Sequence, residues 1–392
     1  MELDTATHKK NILVYKSYGG LGDIFFTVPS LYMLKDKFQV TFATQPRLVS
    51  LFENHLENIT VVDENKINSE DYDEVIELGN YPWFQNDLEK IPQLRYLTHK
   101  KVKQHAIEHY KDGIINVFPD LEKSQAPFPF FVRKETSESY YTVHPGAGFL
   151  LKAWPLSYYE ELMSIIHNYF PELTPKVIVG PEDPNPEKFL KTQGIPHVLV
   201  TGNIDEVADE VAGALFHVGN DSGITHLAGA FNTPILTIYG PTGPGCWGAF
   251  AENVELIWGK KGHCATRCNY EVIINCEDRV CLSNTKPDKM FFHLLKLLNR
   301  LYPDASGQYY KNRDFQATLE DESIVFQGKE NEYLLEIHDE ESRDFMLTHF
   351  DQEALSIGDI PEQLGETFNA LLQLHIYRKI PLVKKSLSIS LT

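Results

Sequence analysis

From residue 219 to residue 240 the chain reads Gly-Asn-Asp-Ser-Gly-Ile-Thr-His-Leu-Ala-Gly-Ala-Phe-Asn-Thr-Pro-Ile-Leu-Thr-Ile-Tyr-Gly. Asp221, Ser222 and Gly223 stand where the apolar run Ala214 to Val218 gives way to a helical pattern, with Thr225 and His226 near its first turn. Such a small-residue loop offers unpaired backbone N–H groups, and the positive end of a helix dipole, to an anion. Ser222 and Thr225 add hydroxyl donors. The same residues also suit an ordinary N-cap, with Asp or Ser capping and glycine for tight packing. Two further stretches combine glycine with reactive side chains: Gly20-Leu21-Gly22-Asp23, and His144-Pro145-Gly146-Ala147 with Lys152-Ala153-Trp154-Pro155.

Strand and helix patterns position these stretches. Asn11 to Ser17 reads as a first strand and leads into the first glycine loop; Ile24 to Phe38 then has helical apolar spacing. Val40 to Thr44, Ile59 to Val62 and Glu74 to Leu78 read as strands, whereas residues 80–134 are rich in aromatics, His and Pro and have no clear layout. A second series starts with the strand Tyr141 to Val143. It continues with a helix from Ser157 to Phe170, the strand Lys176 to Val179, a helix near Pro186 to Gln193, the strand Val198 to Val200 and a helix from Ile204 to Ala214. After the 219–240 stretch, whose end Ile235 to Tyr239 is a buried strand, an amphipathic helix is expected from Pro287 to Tyr302. Alternating strands and helices imply parallel sheets covered on both faces. Two such halves, each with glycine-rich strand ends, suggest a ligand cleft between them. The expected division is residues 1–135, residues 136–303 with a cysteine-rich insert at 262–283, and an extension at 304–392. In the extension Ser323 to Phe326 and Tyr333 to Ile337 alternate like a hairpin, and a winged-helix-like α+β appendage is the expectation.

The chain has 392 residues, 42% hydrophobic and 23% charged, the composition of an ordinary globular protein. A formal net charge of −19 argues against general affinity for nucleic acid or acidic membranes. With no apolar run of about 18 residues and a polar N-terminus, neither a membrane span nor a secretory signal is expected. Residence in the cytoplasm, at most peripheral to the inner membrane, is the resulting expectation.

The three motifs in this order and spacing, with Tyr239-Gly240-Pro241-Thr242 and Trp247 downstream, resemble glycosyltransferase family 9, the lipopolysaccharide heptosyltransferases. The resemblance runs from about Asn11 to Tyr302 and leaves out the extension. It implies the GT-B architecture, two Rossmann-like domains facing a cleft, and transfer of heptose from ADP-heptose with inversion and without a catalytic metal. It implies that Asp23 is the general base that deprotonates the acceptor hydroxyl, against the plainer reading of Asp23 as a helix cap. Lys152 would neutralise the leaving diphosphate, and Ser222, Gly223 and Thr225 would supply hydroxyl and N–H donors to it. Asp221 and His226 match donor-site positions, and His226 reads equally well as a satisfied core histidine. The resemblance places Ser17, Gly22, His144 and Gly146 along the same donor cleft as an expectation. An acidic donor contact falls on Glu182 or Asp183, between which the local Pro-rich spacing does not choose. The acceptor would be a glycan such as lipopolysaccharide core, a lipid-linked glycan or a protein side chain.

Cys264, Cys268, Cys276 and Cys281 fall within 18 residues, spaced x3, x7 and x4. In an intracellular protein this suggests a small tetrathiolate finger holding structural zinc or iron rather than a disulfide frame; buried or free thiols are the alternative. Some protein-modifying heptosyltransferases of the family carry an iron-bound finger. Two other classes compete with the transferase. A nicotinamide oxidoreductase is disfavoured because the first loop is not Gly-x-Gly-x-x-Gly and places Asp23 where a pyrophosphate would sit. A non-catalytic nucleotide-sugar-binding scaffold is disfavoured because the expected motif residues are all present.

Overall fold

The computed structural model describes residues 9–16, 19–78, 94–96, 104–122, 130–181, 183, 195–259, 268, 275–276, 279–301, 308–311, 316–320, 323–327, 332–336, 345, 354–356, 360 and 377–379. The chain forms two compact units, Met1–Asn284 and Thr285–Thr392.

The first unit holds two parallel sheets. In the first, β1 (Asn11–Tyr15), β2 (Gln39–Thr44), β3 (Thr60–Asp63), β4 (Glu74–Glu77) and β5 (Leu94–Tyr96) lie in the order β3-β2-β1-β4-β5. Ile12, Leu13 and Val14 are all buried, as a parallel strand covered on both faces requires. In the second sheet β6 (Tyr140–His144), β7 (Thr174–Ile178), β8 (Val198–Val200), β9 (His217–Asn220), β10 (Ile235–Tyr239) and β11 (Val254–Trp258) lie in the order β11-β10-β9-β6-β7-β8. Helices α1 (Leu21–Phe25), α2 (Val28–Lys35), α3 (Val49–His55) and α4 (Ala106–Val117) accompany the first sheet. Helices α5 (Leu156–Tyr169), α6 (Ile204–Gly213), α7 (Gly223–Ala230), α8 (Pro244–Trp247) and α9 (Val280–Ser283) accompany the second.

One hydrophobic core runs through both halves of this unit. Its centre is aromatic: Phe131 meets Phe25, Phe52 and Phe231 edge-on and stacks on His55. The segment around Phe131 is tied to the second half as well, its backbone N–H donating to Ala230 O at 3.0 Å and the Arg133 side chain donating through Nη2 to Ala214 O at 2.6 Å.

Two expectations need correction. The helix expected over Ile24–Phe38 is two helices, α1 starting earlier and α2 restarting at Val28. Pro29 stands at the start of α2 and has no N–H to continue the ladder from α1. Thr27 closes α1 with both its N–H, at 3.0 Å, and its Oγ1, at 2.7 Å, donating to the Ile24 carbonyl. In the opening stretch, the strand β9 extends through Gly219 and Asn220, so the turn before α7 is only Asp221 and Ser222. Three elements in or after unclear sequence emerge from the structure: β5, α4 and β11.

The second unit contains α10 (Pro287–Leu301), whose apolar face from Met290 to Leu298 is buried. Its strands are β12 (Gln308–Lys311), β13 (Gln316–Glu320), β14 (Ser323–Gln327), β15 (Glu332–Glu336), β16 (Ala354–Ser356) and β17 (Tyr377–Lys379). The expected hairpin is β14–β15, extended by β13 into an antiparallel meander. A separate sheet has the order β16-β12-β17.

Candidate functional site

In the second sheet, β6 and β9 are neighbours, and the later strands run away from them in opposite directions. This is a topological switch point, where an open α/β sheet leaves a crevice at its carboxyl ends. His144 ends β6 and Asn220 ends β9. Asn220, fully buried, fixes the loops around the crevice: its Nδ2 donates to Pro145 O at 2.9 Å and Gly146 O at 3.0 Å, and its Oδ1 accepts from Trp154 N at 2.9 Å. Trp154, 1% exposed, anchors the chain two residues beyond Lys152 against Tyr158 and Tyr159.

Two polar groups meet at this crevice. In one, Lys152 Nζ donates to Asp221 Oδ2 at 2.8 Å, Thr242 Oγ1 donates to the same oxygen at 2.5 Å, and His226 Nε2 lies 3.6 Å from Asp221 Oδ1. Burial alone would raise the Asp221 carboxyl, but the His226 ring and the Lys152 charge outweigh it and hold the group well below the ordinary range. Asp221 therefore stays ionised, and Lys152, partly exposed, is aimed by it. In the other group, Ser222 caps α7 by accepting from Thr225 N at 3.4 Å. His144 bridges Ser222 Oγ at 3.1 Å and Asp183 Oδ2 at 3.0 Å. Burial works to raise Asp183, but its contacts with His144 and the Gly180 N–H hold the carboxyl below its usual range.

Beneath these groups Thr225 donates its hydroxyl proton to Asn220 O at 2.6 Å. His217 Nε2, 3.3 Å from Thr225 Oγ1, is then the donor of that pair, and Nδ1 accepts from Thr142 Oγ1 at 3.0 Å. Complete burial, with the nearby His144, pulls the His217 ring down to about 3, so this histidine is neutral at physiological pH.

From the first sheet α1 brings Asp23. Its Oδ2 accepts from Gly20 N–H at 2.9 Å, so Asp23 does cap its own helix, and the carboxylate is only partly buried. A Cβ on Gly19, which has φ +126°, would lie 2.7 Å from Asp23 Cβ, so glycine is required there on both counts. Just after β1, at the first sheet's own switch point, Lys16 is 2% exposed and its Nζ has no hydrogen-bond partner among the described residues. Burial pulls its ammonium down to about 8, against the opposing fields of Asp23 and Glu77.

Of the sequence candidates, His144, Gly146, Lys152, Asp221, Ser222, Gly223, Thr225 and His226 gather at the ends of β6 and β9, with Gly22 and Asp23 on the helix facing α7. Ser17, Glu182 and Cys264 lie outside the described residues. Asp183 takes a place in the site: a Cβ on Gly146 would strike its carboxylate. Cys268 is half-buried, Cys276 exposed and Cys281 buried, with Sγ 3.3 Å from where a Gly240 Cβ would be. Among the described residues no group of three or more metal-binding side chains occurs. Sequence reasoning missed Lys16, Thr142 and His217, and quoted Asn220 and Thr242 within motifs without a role for either.

The fold and this site define an α/β unit of two parallel sheets in which the helix carrying Asp23 packs on the helix whose N-terminus adjoins Lys152 and Asp221. Residues 93–275 match the model described as glycosyltransferase family 9 (heptosyltransferase). Lipopolysaccharide heptosyltransferase 1 of Salmonella typhimurium is 31% identical over 102 residues, 26% of this chain and 32% of the relative. Lipooligosaccharide heptosyltransferase 2 of Haemophilus influenzae is 34% identical over 124 residues, 29% of this chain and 34% of that protein. The chain thus aligns with about a third of the length of these curated relatives. Among solved structures, the family 9 glycosyltransferase of Veillonella parvula has a TM-score of 0.59 at 17% identity, covering 76% of this chain and 99% of its own. The E. coli heptosyltransferase WaaC with ADP has a TM-score of 0.51 at 20% identity, covering 63% and 92%. The fold is the GT-B fold of these two structures. No helix among the described residues is long and apolar enough to cross a membrane.

Proposed function

We propose that this chain is an inverting glycosyltransferase that moves a heptose from ADP-heptose to a hydroxyl of a glycan acceptor of the lipopolysaccharide-core type. The observation that carries the reading is the contact of α1 with α7: it brings the Asp23 helix against the one whose N-terminus adjoins the Lys152–Asp221 pair. The family match and the relatives' names, lipopolysaccharide and lipooligosaccharide heptosyltransferases, support the substrate class. ADP in the WaaC structure supports the nucleotide.

In this reading the donor diphosphate lies over the first turn of α7, accepting from its free N–H groups and from Ser222, with Lys152 as counter-charge. Asp23 takes the proton of the acceptor hydroxyl as its oxygen attacks the anomeric carbon. The bond from that carbon to the phosphate oxygen breaks on the opposite face, so the configuration inverts and ADP leaves. Lys152 and the helix N–H groups stabilise the charge growing on the leaving phosphate, a task a fixed cation performs without reorganisation. Asp221 keeps the ammonium in place.

The test is a binding titration of wild type and Lys152→Ala with ADP, UDP, GDP and ADP-heptose. ADP and ADP-heptose should bind preferentially, and the variant should bind them about 10–100-fold more weakly, as loss of a charge-assisted contact entails. Preference for UDP or GDP would overturn the heptose assignment, and an unchanged affinity in the variant would remove Lys152 from the diphosphate site.

A further inference from the structure

Helices α1 and α7 meet at two glycines, each facing a side chain of the other helix. A Cβ on Gly22 would lie 2.4 Å from His226 Cδ2 and 3.2 Å from its Nε2. A Cβ on Gly223 would lie 2.7 Å from Leu21 Cβ. Neither glycine adopts a positive φ, so space rather than backbone freedom calls for glycine at both places.

The His226 ring has little room to yield. It is 6% exposed, Phe26 packs edge-on against it with ring centroids 4.6 Å apart, and its Nε2 faces Asp221. Phe26 closes the C-terminal end of α1 and also touches His105 and Trp247. The opposite end of α1, a five-residue helix, is entered through Gly19 and Gly20, which have no side chains to wedge it in place. A methyl group at position 22 would therefore push α1 back rather than turn the ring.

We propose that Gly22 is a positioning residue for the transfer: its missing side chain lets α1 seat on the His226 ring and so sets the reach of Asp23 to a donor held at α7. The inference rests on the transferase reading above. It recasts Gly22, expected from sequence to line the donor cleft, as the bearing between the base and the donor loop, with Leu21 and Gly223 as the reciprocal contact. His226 then has two roles, facing Asp221 through its Nε2 and α1 through its Cδ2 edge.

The experiment is a double-mutant cycle of Gly22→Ala and His226→Ala on the full chain. It reads the melting temperature, the ADP dissociation constant, and kcat for ADP release from ADP-heptose with a heptose-free inner-core oligosaccharide as acceptor. Gly22→Ala should lower kcat by about 10–100-fold, the effect of displacing a reacting group by about an ångström. Its ADP affinity should stay within about threefold of wild type, since Lys152 and Asp221 are untouched. It should also lower the melting temperature, although alanine is the better helix former. With His226→Ala present the methyl has room, so the double variant should match His226→Ala in both melting temperature and kcat. Additive effects, or ADP affinity falling in step with kcat, would overturn the proposal. A non-additive thermal cycle in a wild type that makes no product would instead overturn the transferase reading, and with it the role of Gly22, while leaving the contact intact.

Discussion

Lys152 is held by Asp221 at 2.8 Å, so a diphosphate reaching that ammonium shares it with a carboxylate. Beneath the site lies a buried neutral histidine, paired with Thr142 and Thr225. His217 titrates near 3 in the folded chain, below its ordinary 6.5, because burial penalises the imidazolium. Between those values the unfolded chain binds the extra proton, so stability rises with pH across that window and is lost on acidification. Going from pH 7 to 4.5 should remove about 2–3 kcal/mol through this group alone. Urea unfolding at both pH values should show a smaller loss in His217→Gln, which keeps a donor without titrating in that range; equal losses would contradict the assignment. At this scale the sequence was legible where partners are neighbours along the chain, as with Ser222 capping Thr225. The choice of Asp183 over Glu182 and the roles of Thr142 and Asn220 were not, because their partners lie 39, 75 and 66–75 residues away.

The elements of the site are joined by single side chains. Asn220 ties the loops after β6 and before α5 to the end of β9 through three hydrogen bonds. Asn220→Ala would leave two buried carbonyls and one N–H without that partner, costing about 2–4 kcal/mol. The Lys152 loop would loosen with it, so ADP affinity should fall at least about tenfold; lost stability with full affinity would show that Asn220 does not place Lys152. His105 does similar work for α4: Nδ1 accepts from Ile107 N at 3.3 Å while Nε2 lies 2.9 Å from Gly248 O, joining α4 to the loop after α8. Burial, acting against that carbonyl contact, holds this ring too below its ordinary value. Strands and helices with clear period and buried faces were legible, among them β1, β10, α5 and α6. Helix α4 was hidden in a segment crowded with aromatics and His, where composition masks the period. The break between α1 and α2 was hidden because apolar spacing passes through Pro29 unchanged.

At the scale of the molecule, the chain is acidic, with a net charge of −19. Lys152 faces the crevice, while Lys16 is buried behind the first glycine loop. The common core, centred on Phe131, joins both sheets of the first unit, so Asp23 from one half and Ser222 from the other share one framework. The two parallel sheets were legible from the alternation of patterns, and the order of strands about each switch point was not, since it depends on long-range pairing. The second unit's strands have no counterpart in the motifs that carry the chemistry.

The central claim is that Asp23 is the base of a transfer from ADP-heptose. The direct measurement is the mass and anomeric configuration of the product formed from ADP-heptose and a heptose-free inner-core oligosaccharide, for wild type and Asp23→Asn. Asparagine keeps an acceptor for the Gly20 N–H, so the helix is preserved while the base is lost. Wild type should give an oligosaccharide heavier by one heptose with inverted configuration, and the variant should turn over at least about 100-fold more slowly at unchanged ADP affinity. Transfer that persists in Asp23→Asn, or a product with retained configuration, would contradict it.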